Sequence, residues 1–461
     1  MDLSSYTPIY VRTTGSDAND GLTVGSPKLT AQSAYDAAVA AATGDYVLDL
    51  GANTEGVPNF GGITLAADWP VRIAVRGASA TSSFLGGING VGANTYNTEA
   101  PDYIDVPGTS GFNVTIVSDN TVNLGAISTD GGNYNTNSGS VSLTDSTAGD
   151  ISTCGADGDL NGDGGSVTLT DSTVGAISTG GGFGGGDGGS VTLTDSTSGA
   201  ISTTGGHSDI LGGVGGSVTL TNSTSGNIAV DGGSDASFAG SGGDGGSVTL
   251  TNSTSGNLQC FGGIGAVTPG VSGGGGSMTL TNSASGNIIN RSGTSYIEGC
   301  IVGVGGSVTL TNSTSGNITV EGGSSSDNGG VGGSVTLTNS TSGNINADGG
   351  FNEFDTGYLG GGGGGSVTLT DSTVGAISIK GGVGYTFGGI GGSLSLTNVT
   401  FDTISTQGGG GFNNEYIAGI MGVTTLHGHY RFQKNSTIFQ NTSLVIGSDW
   451  IAPDILGAGL L

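Results

Sequence analysis

The chain has 461 residues, 99 of them Gly, and carries 8 Lys plus Arg against 36 Asp plus Glu, for a net charge of −28 and a pI of about 4.1. So acidic a balance argues against direct binding to a nucleic-acid phosphate backbone or to an anionic membrane surface. No stretch of 18 apolar residues offers a membrane span. Gly far above its usual ~7% without a Gly-X-Y period, and with little Pro, excludes collagen. Cys154, Cys260 and Cys300 are odd in number and stand at unlike places, so they read as small buried side chains rather than a disulfide framework. Met1-Asp2-Leu3-Ser4 has neither the basic start nor the apolar run of a secretory leader, and synthesis in a cytoplasm is expected.

Residues 1–45 read as an entry segment. Tyr10 to Gly21 is a strand followed by a polar turn, Thr30 is a plausible N-cap, and Ala31 to Thr43 is an Ala-rich amphipathic helix. Tyr35 and Val39 are expected on its inner face, with Gly44 at its C-cap. Such a helix would cover the open end of a strand stack, where unpaired edges invite aggregation. Residues 46–110 read as irregular first coils, with strands at Tyr46–Leu50 and Val71–Val75.

From about 111 to 405 one phrase returns, best seen as Gly165-Ser166-Val167-Thr168-Leu169-Thr170-Asp171-Ser172-Thr173-Val174-Gly175-Ala176-Ile177. Its anchor falls at Val114, Val141, Val167, Val191, Val218, Val248, Met278, Val308, Val335, Val367 and Leu394. From Val141 onward an Ile or Leu stands ten residues after each anchor, whereas the spacers vary. A fixed phrase with variable spacers marks a repeat architecture, and disordered low-complexity chains keep no such offset. Val and Leu alternate with Thr, as in a strand with one buried face. Asp, Asn, Ser and Gly then make a turn, and Ala-Ile-Ser makes a second short strand. One unit cannot bury three apolar side chains alone, but stacked units can. The fold expected is all-β: a right-handed parallel β-helix, or β-solenoid, of about eleven regular coils, with an N-terminal capping helix and a distinct tail at 406–461.

The run Ile9 to Ala38, with its strand, G-x-D-x-N-D-G-L turn, Ser-Pro and helix, resembles the entry to the pectin-lyase-like β-helix of phage tail fibres, tailspikes and related virion proteins. The Gly-rich spacers also resemble those of phage adhesins that carry receptor-reading loops on a Gly-rich frame. The resemblance implies a virion structural or adhesion protein on a tail or capsid surface, made in a host cytoplasm and acting outside it. Its implied partners are other virion proteins and a host cell-surface glycan or protein, and its implied state is a homotrimer.

Loop residues suited to a sugar are His207, Phe238, Tyr296, Glu298, Phe351, Glu353, Phe354, Tyr358, Tyr385 and Phe387. Rings stack on sugars and polar groups take hydroxyls. The column Asp171, Asp195, Asn222, Asn252, Asn282, Asn312, Asn339, Asp371, Asn398 alternates between acid and amide, which a catalytic carboxylate would not tolerate. It reads as a structural ladder.

Asp157, Asp159 and Asn161, up to Asp163, have the spacing of a calcium loop without its closing Glu. His427-Gly428-His429 resembles the H-x-H with which trimeric phage tips hold a metal on their axis. The outward Thr-x-Thr array resembles the face of ice-binding solenoids, so ice binding is one rival reading and a purely structural solenoid another. A polysaccharide depolymerase is a third. Glycoside hydrolysis needs two carboxylates at a set separation. Asp209, Glu298, Glu353 and Asp355 are available, yet no pair is singled out and basic residues are scarce. The reading is therefore against an enzyme.

Overall fold

The computed structural model describes residues 3–410 except 52–59, 78–81, 85, 93–109, 119–121, 133–135, 159–161, 235–239, 266–269, 296–300 and 353–359, together with the strands at 423–427 and 443–446. The alternation in the repeat has its expected result. Val167 and Leu169 are fully buried and Ile177 nearly so, while Thr168 between them is exposed. Burying each such aliphatic side chain contributes about 1.5–3 kcal/mol. Every coil thus has a long strand and a short strand, joined by a tight turn. The protein is a parallel β-solenoid of about eleven coils, with one short helix among the described residues.

The chain divides into two units, Met1–Thr203 with Thr219–Gly226, and Thr204–Val218 with Asn227–Leu461. In the first, the long strands Val114–Val117, Val141–Thr144, Val167–Thr170 and Ser190–Thr194 pair parallel, Val on Val and Leu or Ile on Leu. In the second, Ser247–Thr251, Ser277–Thr281, Ser307–Thr311, Ser334–Thr338, Ser366–Thr370 and Ser393–Thr397 do the same without a register shift. Val423–His427 and Ser443–Ile446, in the tail segment, add two further strands to that column. The short strands of each unit stack likewise, as Leu258 on Ile288 and Ile288 on Ile318.

A second buried file, twelve residues after each anchor from Val141 onward, holds Thr153, Thr179, Thr203, Val230, Cys260, Asn290, Val320, Ala347, Ile379 and Thr406. Its mixed chemistry gave no signal in the sequence. Cys260 sits here, its thiol pushed up to about 12 by burial, and it accepts a hydrogen bond from the Gly276 N–H at 3.2 Å.

Beyond the aliphatic strip the two walls of a coil close on each other, and glycine backbones bond directly. In the second unit Gly233 donates to Gly213, Gly243 to Gly233, Gly263 to Gly243 and Gly273 to Gly263, each at 2.8–2.9 Å. The same zipper runs through Gly330, Gly350, Gly362, Gly382, Gly389 and Gly409. A Cβ on Gly263 would be driven into the carbonyl oxygen of Gly233, so no side chain fits. The spacers are therefore mostly wall, and only their tips are loops.

The entry segment bonds to itself. The Asp17 carboxylate accepts from the backbone N–H of Leu29 and of Thr30 at 3.1 and 2.9 Å, tying the polar turn to the helix start. The helix, α1, is Ala31–Ala40, with the Thr30 hydroxyl accepting from Ser33 N–H. It ends sooner than the sequence suggests: Ala41 is the C-cap and Ala42 takes the left-handed conformation, φ 55°. Its inner face is Ala31, Ala34, Tyr35 and Ala38, whereas Val39 is exposed. Small alanines let α1 lie close to the strands Thr7–Tyr10, Tyr46–Gly51 and Ile63–Thr64. Tyr35 meets Trp69 with ring centroids 4.7 Å apart.

The glycine zipper generates a test. Gly263→Ala is expected to lower unfolding free energy by about 3 kcal/mol, at the upper end of overpacking. Gly25→Ala, with open space around its Cβ, leaves it unchanged or slightly raised. Urea unfolding of the two variants beside the parent reads both.

Candidate functional site

The Asp/Asn column occupies the turn after each long strand. Asp171, Asp195, Asn222, Asn252, Asn282, Asn312, Asn339, Asp371 and Asn398 all have φ between 48° and 53°. Asn and Asp tolerate this left-handed region better than other residues with a Cβ. Some side chains also bond along the stack: Asn282 to Asn252 and Asn312 to Asn282 at 3.2 Å, Asn222 to Asp195 and Asn398 to Asp371 at 3.0 Å.

Two further ladders were hidden in what looked like generic turn residues. The next residue is a buried serine whose hydroxyl donates back to the Thr carbonyl two before it and accepts the N–H of the serine in the preceding coil, as Ser283, Ser313 and Ser340 do. Ahead of the short strand, the side-chain oxygens of Asn227, Asn257, Asn287, Asn317 and Asn344 each accept the next coil's backbone N–H at 2.8–2.9 Å. These groups hold coils together and leave little free for a ligand.

The coil tips differ. In the second unit Ile210, Leu211, Ile301, Phe351 and Phe387 are 41–73% exposed. Leu211 bridges Ser241, and Val271 bridges Ile301, so the tips keep the register of the frame. Among the residues expected to read a ligand, Phe351 and Phe387 are exposed and Tyr385 is half-buried. His207 is exposed, and its Nδ1 accepts the Ser234 N–H at 3.0 Å. Phe238, Tyr296, Glu298, Glu353, Phe354 and Tyr358 lie outside the described residues. The exposed aliphatic tips were missed, because a lone Ile or Val in a Gly-rich spacer has no distinguishing spacing.

Asp157 is exposed, and its carboxylate accepts the Phe183 N–H of the next coil at 2.8 Å; Asp163 accepts the Asp187 N–H at 3.0 Å. Asp159 and Asn161 lie outside the described residues, as do His429 and the side chain of His427. Among the described residues no group of three or more His, Cys, Asp or Glu could hold a metal.

An ionic cluster flanks the short strands of the second unit. Arg291 pairs with Glu321 at 2.8 Å, and Asn346 donates to the same carboxylate. Asp348 accepts from Ser378 at 2.9 Å and from the Lys380 N–H at 2.6 Å. Burial pushes the Glu321 carboxyl up; Arg291 works against this and Asp348 with it. Burial likewise pushes Asp231 up, against hydrogen bonds from Gln259 at 2.7 Å and Phe261 N–H at 2.8 Å. Each of these acids is engaged within the frame.

Finally, a shallow trough of about 760 Å³ runs along the second unit from Gly275 to Ser393, floored by glycine backbone. No known protein family, curated protein or solved structure matches the chain.

Two outcomes test the frame. Asn312→Gly should leave stability nearly unchanged, whereas Asn312→Val should cost about 1–2 kcal/mol for a β-branched residue in the left-handed region, read by denaturant midpoints. Asp231 has a folded-state pKa above its unfolded value, so its stabilising contribution is full below the unfolded value of 3.8 and is lost as pH rises through the folded one. Asp231→Asn should therefore be more stable than the parent at pH 7, with the gap closing as pH falls towards 3.8. Thermal unfolding across that range measures it.

Proposed function

We propose that the chain is a non-enzymatic surface-binding solenoid, a virion tail-fibre or adhesin-type protein whose coil tips contact a cell-surface glycan. One observation carries the reading: large apolar side chains stand exposed at tips where the frame does not require them. Ile210, Ile301, Phe351 and Phe387 are each 41–73% exposed, and the tips that carry them keep the register of the stack. Exposed apolar groups on rigid supports are how binding surfaces are commonly made. The resemblance of residues 9–38 to the entry of virion β-helices supports the class and a place on the virion surface. A charge of −28 disfavours polyanionic partners.

Binding of labelled protein to host cells tests it. Replacing Ile301, Phe351 and Phe387 together by Ser should weaken binding at least about tenfold, since each lost apolar contact contributes about 1–2 kcal/mol. Equal binding by parent and variant would remove the tips from the interface. Clearance of polysaccharide by the purified parent would replace the non-enzymatic reading with a depolymerase.

A further inference from the structure

Before each long strand from Ser247–Thr251 to Ser393–Thr397 the chain reads Gly-x-Gly-Gly-Ser, and this segment builds the trough. The x positions Val304, Val331 and Ile390 stand 53, 45 and 57% exposed and make one wall. The other wall is Ser307, Ser334, Ser366 and Ser393, which precede the strands and are aligned in register. Gly363 takes the place of an aliphatic residue between Val331 and Ile390, so there the wall drops to backbone.

We propose that this trough binds a single linear, neutral polysaccharide chain lying along the stack, about one sugar ring for each strand spacing of ~4.8 Å. Three observations converge on that ligand. The first is charge: no ionisable side chain lines the trough, and the chain as a whole repels polyanions.

The second is the state of the floor. Gly275 N–H donates to Val304 C=O, Gly305 to Val331, Gly332 to Gly363 and Gly364 to Ile390, at 2.8–3.0 Å. The serine N–H groups donate to Gly276, Gly306, Gly333 and Gly365. A peptide strand adding to a sheet edge needs free backbone donors and acceptors, and this floor has used its own on neighbouring coils.

The third is what remains on offer. The hydroxyls of Ser307, Ser334, Ser366 and Ser393 have no protein partner among the described residues, and each can donate one hydrogen bond and accept two. A file of unpartnered hydroxyls facing a file of aliphatic side chains matches a pyranose, which has C–H faces and a hydroxyl edge. Successive coils repeat that offer at the pitch of an extended glycan.

This site is separate from the coil tips, and the two readings fail independently. Calorimetric titration of the full chain with β-1,4-linked glucose and N-acetylglucosamine oligomers of increasing length tests it, with an oligogalacturonate as the anionic control. Affinity for at least one neutral series should rise with each added ring and level off at about four to five rings, the number of coils spanned at ~4.8 Å each. Val331→Asp should weaken it about tenfold or more. The double variant Ser334→Ala, Ser366→Ala, which removes only two unpartnered hydroxyls, should weaken it severalfold. Val24→Ser, at an exposed residue of the entry segment, should leave it unchanged. Absence of saturable binding by both neutral series, equal affinity for the anionic oligomer, or affinity indifferent to the double serine variant would each overturn the proposal.

Discussion

Everything in this molecule depends on how closely two stretches of backbone approach each other. Within each coil the segment leaving the short strand and the segment entering the long strand come within N–H···O distance, and their glycines bond alternately across and along the stack. Such an approach leaves no space for a Cβ, as Gly233, Gly243, Gly263 and Gly273 each demonstrate. Gly has the largest conformational entropy to lose on folding. The loss is offset by a lattice in which almost every wall amide is paired, one bond per residue ordered. It is also why a chain with only 34% hydrophobic residues folds: the side-chain core is confined to the Val–Leu–Ile strip, and backbone fills the rest.

The lattice explains the coexistence of a constant phrase with variable spacers. Steps of 24 to 32 residues are tolerated because both walls are set by the zipper, and extra residues emerge only at the tip. The turn between the strands has no such freedom. A left-handed Asn or Asp, then a serine that bonds forwards and backwards, must follow each long strand for the coil above to dock. The same architecture is thus rigid where coils meet and permissive where they face outward.

Legibility in the sequence follows that division. Val, Leu and Ile could be read because alternation and a fixed offset are side-chain signals, and the parallel stack follows from them. The turn was legible as a column that takes only Asp or Asn, whereas its left-handed backbone was not. The walls were not: glycine in a spacer looks the same whether it is a loose loop or a bonded lattice, since a backbone hydrogen bond writes nothing into the side-chain pattern. The file containing Thr203, Val230, Cys260, Asn290 and Ile379 was illegible for a different reason, because burial there accepts any side chain of modest size. α1 stops at Ala41 because Ala42 turns left-handed, and its buried face of alanines and Tyr35 leaves Val39 outside. Of the aromatic loop residues, Phe351 and Phe387 stand exposed, but the aliphatic tips and the trough were not legible, since both are defined by what neighbouring coils place beside them.

A frame that pairs its own backbone so completely has few edges left to offer. Recognition by strand addition is closed along the trough, and the ladders of Asn, Asp and Ser are occupied between coils. Among the described residues, the side chains that the frame leaves to a ligand include the apolar tips, the aliphatic and hydroxyl walls of the trough, and the outward threonine files. None of these is charged, although the chain carries −28 overall. The acids in register with the stack, such as Asp231, Glu321 and Asp348, are turned to holding adjacent coils. Net charge helps to keep a strand-rich chain in solution, while the walls of the trough are neutral and periodic. A polymer with a neutral, periodic repeat of its own is the partner proposed for such a surface.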